Sequence, residues 1–236
     1  IAYALIGGVR DVGQNAETQG AFEARRYKSV ALNSRGTIAA VYARVADCAN
    51  VVSCIVRENK TNMPIEIDGY YLKAHSVFVS VVGGSDEDIA EAIYNSCSAG
   101  CDYNGNTTVA VTDSATGAGE KVTFYRPADY PMYVRVTLQG KDSLPDDYET
   151  TVKNAVYDNF YGESTATIAG NPILRAVAGD TVLASRFVPS VLDAGISQVV
   201  SIRVSSDGKT YTESVYIPIT VDPSLAKEHI TVEVLS

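Results

Sequence analysis

The chain has 236 residues, 46% of them hydrophobic and 20% charged, with a formal net charge of −9. That composition belongs to a folded globular protein, long enough to bury the core of one large or two small domains. A sequence pI of about 4.7 removes the counterion-release drive for binding nucleic acid, and no run of about 18 apolar residues is present to cross a membrane as a helix.

Residues 1–15 read as a loose, Gly-containing lead-in. The opening Ile1-Ala2-Tyr3-Ala4-Leu5-Ile6 lacks the basic flank and cleavage site of a signal peptide. Thr18 is placed to cap a helix to about residue 32, with Ala21, Phe22, Ala24 and Arg25 in its first half. Arg25-Arg26, the one basic pair, reads as a polar helix flank. Thr37 caps a second helix in which Ile38, Val41 and Val45 share a face and Cys48 is the last residue. A strand follows over 51–58, then a polar link over 59–74 with Pro64 and Gly69.

The period changes in the middle of the segment from His75 to Ile93. Val77, Val79 and Val81 alternate with Ser76, Phe78 and Ser80, which predicts a strand with two different faces. Gly83-Gly84 breaks it. Ser85 starts a helix as N-cap, with Asp88 three residues later as in a capping box. Asp86, Glu87 and Asp88 fill the first turn, where the helix dipole favours negative charge. Ile89, Ala92, Ile93 and Cys97 make the apolar face, and Gly100 stands as the C-terminal cap.

Strands over 109–112 and 121–125 flank a turn-rich hairpin loop. Arg126-Pro127 and Pro131 punctuate the chain. Val134, Val136 and Leu138 alternate with Tyr133, Arg135, Thr137 and Gln139 as a one-sided strand. Asp146 or Asp147 caps a helix to about Tyr161 carrying Val152, Ala155, Val156 and Phe160. Residues 181–193 read as a helix interrupted by Pro189. Val200, Ile202 and Val204 form a strand, Asp207-Gly208 a hairpin turn, and 211–221 the return strand with Pro218 at an edge. Residues 230–235 make the last strand. The order is not a strict βαβ alternation, so the predicted class is α+β: two small modules, each with helices on a small, mostly antiparallel sheet, after an N-terminal helical segment. The expected divisions are 1–60, 61–140 and 141–236.

The pieces that carry chemistry elsewhere are weak here. His75 and His229 are the only histidines, and no Gly-x-Ser-x-Gly elbow surrounds a serine. Gly83-Gly84-Ser85 precedes a helix, but three carboxylates in the first turn would repel a phosphate. Asp102, Asn104 and Asn106 start like a calcium loop, yet Gly is fourth and position twelve is Asp113. Asn59-Lys60-Thr61 and Asn106-Thr107-Thr108 are glycosylation sequons. Cys48 and Cys54, like Cys97 and Cys101, match no zinc spacing. Isolated thiols are expected, Cys97 as a small buried hydrophobe, with a Cys48–Cys54 disulfide as the alternative. The 15 tyrosines, without a Trp, suit interfaces better than a sugar platform. No catalytic, cofactor-binding or metal-ligating residue is assigned, and no enzyme activity is expected.

The strand, Gly-Gly turn and acidic helix start, with Ile89-Ala90-Glu91-Ala92-Ile93, resemble the baseplate J-like family of contractile phage tails. The likeness extends to Glu17-Thr18, Phe22, Arg25-Arg26, Gly36-Thr37 and Glu58-Asn59-x-Thr61 upstream. Downstream it takes in Ala99-Gly100-Cys101, Gly105-Asn106-Thr107 and Val122-x-Phe124-x-Arg126-Pro127. It covers about residues 17–140, and later only in pattern. The resemblance implies a structural component of a baseplate wedge, or of a related contractile injection system, that joins wedge subunits into a ring. It also implies other wedge proteins and further copies of this chain as partners, assembly in the bacterial cytoplasm and a place in the virion. Family members carry an additional N-terminal domain, so the chain, which lacks an initiator Met, is expected to be a C-terminal fragment. The alternative reading is a tail-associated module that binds a host cell-surface glycan.

Overall fold

The computed structural model describes residues 36–113 and 116–235. The helix expected over 18–32 lies outside them. The protein is α+β, with four α-helices among the described residues.

Helix α1 (Ile38–Val45) begins where expected. Thr37 is extended at φ −122°, ψ 150°, and its hydroxyl accepts the Ala40 N–H at 3.1 Å. Val41 and Val45 face the core. The helix ends before Ala46, so Cys48 lies in the turn that follows and not on the helix. Strand β1 (Val51–Asn59) then pairs antiparallel with β4 (Ser76–Gly83), Cys54 opposite Val81 and Arg57 opposite Phe78. Between them the supposed polar link folds into a hairpin, β2 (Ile65–Ile67) with β3 (Tyr70–Leu72). Its two turn residues, Asp68 at φ 51° and Gly69 at φ 81°, make a two-residue turn with both φ positive.

On its other edge β4 runs parallel to β5 (Asp102–Asn104). Beyond β5, Tyr125 takes over that edge: Val81 donates its N–H to Tyr125 O at 3.0 Å and Tyr125 donates to Val79 O at 2.7 Å. The two faces of β4 serve different clusters, as the alternation predicts. Val79 and Val81 pack with Val41, Ile89 and Ile93, the last two from α2 (Asp86–Ser96). Phe78 points the opposite way, against Leu72 and Ile219. The hairpin β6 (Thr107–Thr112) with β7 (Gly119–Phe124) packs on α2 and buries Val122 and Phe124. Truncating a fully buried Phe such as Phe78 costs roughly 3–5 kcal/mol in a core of this kind.

Helix α2 ends at Ser96, so Cys97 is extended, just past the helix, and Gly100 sits in the next turn and does not cap it. At the other end the Gly pair is required by space as well as by backbone. Gly83 and Gly84 have φ 75° and 71°. A Cβ on Gly83 would lie 2.2 Å from Asn50 O, and one on Gly84 would lie 2.7 Å from Val51 Cγ2.

The second core is built on β9 (Tyr133–Gln139). It pairs antiparallel with β13 (Val199–Ser205) and parallel with β16 (Ile230–Leu235). Val134, Val136 and Leu138 are fully buried against Val152, Val156 and Phe160 of α3 (Tyr148–Tyr161). Asp147 stands at the N-cap, where its carboxylate accepts no backbone N–H of the helix and takes the Thr151 hydroxyl at 3.4 Å instead. The segment 181–193 is not one interrupted helix. It is β12 (Thr181–Leu183), a short 3₁₀ turn, and α4 (Val188–Asp193), with Pro189 in the first helical turn where a missing N–H costs nothing. Nor does the chain return along β13. After a single bridge between Val204 and Thr212 it leaves to pair β14 (Ser214–Tyr216) with β12. Then β15 (Val221–Ser224) runs parallel to β8 (Ala128–Pro131), and Pro218 lies in the break between β14 and β15. A register shift between Val199 and Ser201 turns Val200 outward, so it does not share the buried face of Ile202 and Val204.

The first core draws on residues 38–124 and the second on 130–234. The strands at 51–58 and 133–139 therefore pack with the elements that follow them, and positions 60 and 140 both fall inside packed units. Each three-stranded sheet mixes one antiparallel and one parallel pair, although antiparallel pairs predominate.

Gly84→Val should lower stability by on the order of 3 kcal/mol, from positive-φ strain together with overpacking against Val51 and Ile89. Chemical denaturation reads this; an unchanged midpoint would contradict the turn geometry. A second test lies at Asp207, whose carboxylate accepts the N–H groups of Lys209 and Thr210, each at 2.8 Å, and the Ser205 hydroxyl at 2.8 Å. These bonds, the two backbone ones first, hold the carboxyl well below the usual carboxylate range. A depressed folded-state value stabilises the fold above the ordinary carboxylate range, and that contribution is lost as pH falls through the folded value. Asp207→Asn should therefore reduce Tm at neutral pH, with the gap to the unsubstituted protein closing in strong acid.

Candidate functional site

The residues singled out in the sequence converge on the end of β4. Arg126 follows β7 and reaches back under the Gly-Gly turn. Its Nε and Nη2 donate to Asp86 Oδ1 at 3.0 and 2.6 Å. Nη1 donates to Val81 O at 3.1 Å and Gly83 O at 2.5 Å, and Nη2 to Gly84 O at 2.9 Å. A guanidinium has five N–H donors, and all five have an acceptor here. The carbonyls left open by the turn are thus satisfied by one side chain, which also neutralises the first carboxylate of α2. Ser85 completes the junction by accepting the Asp88 N–H at 3.1 Å.

Two neighbouring motifs position that arginine. Asn106 accepts the Arg126 N–H at 2.8 Å and donates its amide to Arg126 O at 2.9 Å. Gly105 lets β5 turn against β7, for a Cβ there would sit 2.1 Å from Phe124 O. Asn104 is buried, donating to Ser76 Oγ at 2.8 Å and Val77 O at 3.0 Å and accepting from Lys73 N at 3.0 Å. Asp102 pairs with Lys73 at 3.2 Å. The three side chains that start like a calcium loop are thus taken up by protein groups, Asp102 and Asn104 by Lys73 and Asn106 by Arg126.

Asn59 is likewise structural. It is 2% exposed, and its amide donates to the carbonyls of Met63, Leu72 and Lys73 while its oxygen accepts from Thr61. In the folded protein it offers no sequon to modify.

The histidines occupy different lobes. His75 lies in the turn before β4 at φ 47°, with Nε2 2.6 Å from Asn62 Oδ1. His229 stacks on Tyr133 with ring centroids 4.2 Å apart. Among the described residues no group of three or more His, Cys, Asp or Glu side chains is arranged to hold a metal ion.

None of the four cysteines is in a disulfide, so the Cys48–Cys54 bridge is not formed. Cys48 donates to Arg44 O at 3.4 Å, and burial, then Asp88 and Asp47, push its thiol up. Cys54 faces Tyr42 O at 3.9 Å. Cys101 donates to Asp102 O at 3.4 Å, and Cys97 lies just past the end of α2. They line a cavity of about 310 Å³ shared with His75 and the ends of α1 and β1.

A wider groove of about 840 Å³ runs between the lobes, floored by β1, the outer strand of its sheet, and walled by α1 and residues 175–180. Tyr42 and Val52 are exposed at it. Arg57 crosses toward Asp68 of the turn between β2 and β3, at 3.0 Å.

Comparison with the models of known protein families gives no match, and comparison with curated proteins gives none either. No helix among the described residues is long and apolar enough to cross a membrane.

Replacing Arg126 with Ala should cost roughly 2–4 kcal/mol, since three backbone carbonyls and a carboxylate lose their donor together. Arg126→Lys should recover less than half, as one ammonium cannot span all four acceptors. Denaturation midpoints of the two variants check this, and a fully restoring lysine would refute the five-donor account.

Proposed function

We propose that the protein is a structural component of a contractile phage-tail baseplate wedge, or of a related contractile injection system, and that it acts by assembly and not by turnover. The observation that carries this reading is the convergence of the resemblance itself. Gly83-Gly84, Asp86, Asn106, Phe124 and Arg126 are scattered over the sequence yet meet at one junction. Asn59 with Thr61, and Thr37 at its helix cap, have equally definite structural tasks. A likeness made of residues that hold a fold together speaks for a shared scaffold. A scaffold acts through area and shape complementarity. In this reading the chain joins neighbouring wedge proteins and further copies of itself around the tail hub, and it is assembled in the host cytoplasm into the virion.

Deleting the gene should stop tail assembly early. Sheath and tube proteins should still accumulate, while electron microscopy should show no complete contractile tails. Intact tails with normal baseplates that fail only at adsorption would overturn the proposal in favour of glycan binding.

A further inference from the structure

Strand β1 has one edge that no strand among the described residues pairs with. In β4 the backbone groups of Val79 and Val81 turn to Tyr125, so those of Phe78, Ser80 and Val82 turn to β1, where Arg57, Ile55 and Ser53 stand opposite. Direction alternates along a strand, so Cys54, Val56 and Glu58 turn their backbone groups outward, into the groove of about 840 Å³. Among the described residues nothing accepts the N–H of Val56 or Glu58. One wall of the groove is α1, whose Ile38, Ala39 and Tyr42 line it while Val41 and Val45 face the core. Tyr42 is 47% exposed there and Val52 56%. An open edge beside an uncovered apolar stripe is an arrangement that folded proteins close with a helix or loop.

We propose that residues 18–32, which lie outside the described residues, close this groove as a helix laid antiparallel along α1. Gly36, where the described chain begins, is itself part of the groove's lining, its N–H tied to Ser96 O at 2.8 Å. Only residues 33–36 separate the expected helix from the Thr37 cap, and a link of that length reaches at most about 14 Å when extended. Leu32 is therefore held at the mouth of the groove, and a connection this short makes its two helices antiparallel neighbours. At 1.5 Å per residue the helix is about 22 Å long, and β1 from Val52 to Glu58 covers about 20 Å. Gly20, Ala24, Tyr27 and Ala31 recur at helical spacing on one side of it. That narrow face of small residues with one ring suits close approach to a strand edge between two walls. The same walls keep the sheet of a second copy from reaching β1. The helix thus serves as a cover that prevents β1 from pairing with another chain.

Trypsin tests the cover on the full chain. Arg25, Arg26 and Lys28 lie in the proposed helix, and a synthetic peptide of residues 16–35 is the reference, since a helix of this length is marginal alone in water. Cleavage at the three sites should be at least about tenfold slower in the chain than in the peptide, because a packed helix is cut only when it opens. That ratio should not change on dilution. Alkylation by iodoacetamide, mapped by mass spectrometry, reads the floor of the groove. Ala24→Asp places a charge on the packed face and should raise the rate at Cys54, which lines the groove, about tenfold through the same opening. Cys48, which faces Arg44 O and Asp88 O, should keep its rate. Cleavage as fast in the chain as in the peptide, or a Cys54 rate unmoved by Ala24→Asp, overturns the proposal. Protection that fades on dilution overturns it too and assigns the groove to a second copy. The trypsin ratio in the unsubstituted chain decides the matter where Ala24→Asp unfolds the first lobe.

Discussion

Strand β4 has almost no side open to water, and the first lobe is arranged around that constraint. One edge is taken by β1 and the other by β5 and then Tyr125. One face is covered by α1 and α2, and the other, which carries Phe78, by Leu72 and Ile219. A strand enclosed on all sides must stop abruptly, because the next residues have to leave the sheet without exposing their carbonyls to an apolar interior. Two residues of positive φ make the exit, and Arg126 supplies donors for the carbonyls that the exit strands. The helix start, the turn and the end of β7 are therefore one unit, and substituting any part of it is felt by the others.

That unit explains why separate short motifs read together. Asn106 fixes the backbone of Arg126, Arg126 fixes the Gly-Gly turn, and the turn fixes where α2 begins. In the second lobe the corresponding polar centre is Asn159, which is fully buried and joins α3 to α4 through Ser190 at 2.7 Å and to Arg186 at 3.0 Å. Both lobes thus place a hydrogen-bonded polar side chain where two elements must meet at one distance, and leave the rest of the contact to apolar packing.

Elements with a local signal were legible in the sequence. Thr37 and Ser85 cap helices through their own hydroxyls, and the alternation of β9 gave its buried face residue by residue. The failures share a cause, which is partner choice at long range. Nothing local says that Ser214–Tyr216 pairs with Thr181–Leu183 in place of its neighbour β13, or that one extra residue near Val200 reverses a face. The Asp68-Gly69 hairpin was legible but overlooked, since the flanking Ile-Glu-Ile and Tyr-Tyr-Leu are short and partly polar. At the thiols the missing signal was the helix end: Cys97 fits the α2 period, yet the chain is extended there.

The strand pairings also set an order of events during synthesis. Every partner in the first core lies before residue 126, so that lobe can close while later residues are still being added. The second core is different: Val134 lies beside Ile230, and Ala128 beside Val221. Its central strand therefore waits, with Val134, Val136 and Leu138 unpaired on one edge, until residues 230–235 leave the ribosome. Contacts this distant along the chain are slow to form, and an apolar strand waiting in that state is where truncated or stalled chains would associate with one another. Ile219, which seals Phe78 from the far lobe, is the last piece to reach the first.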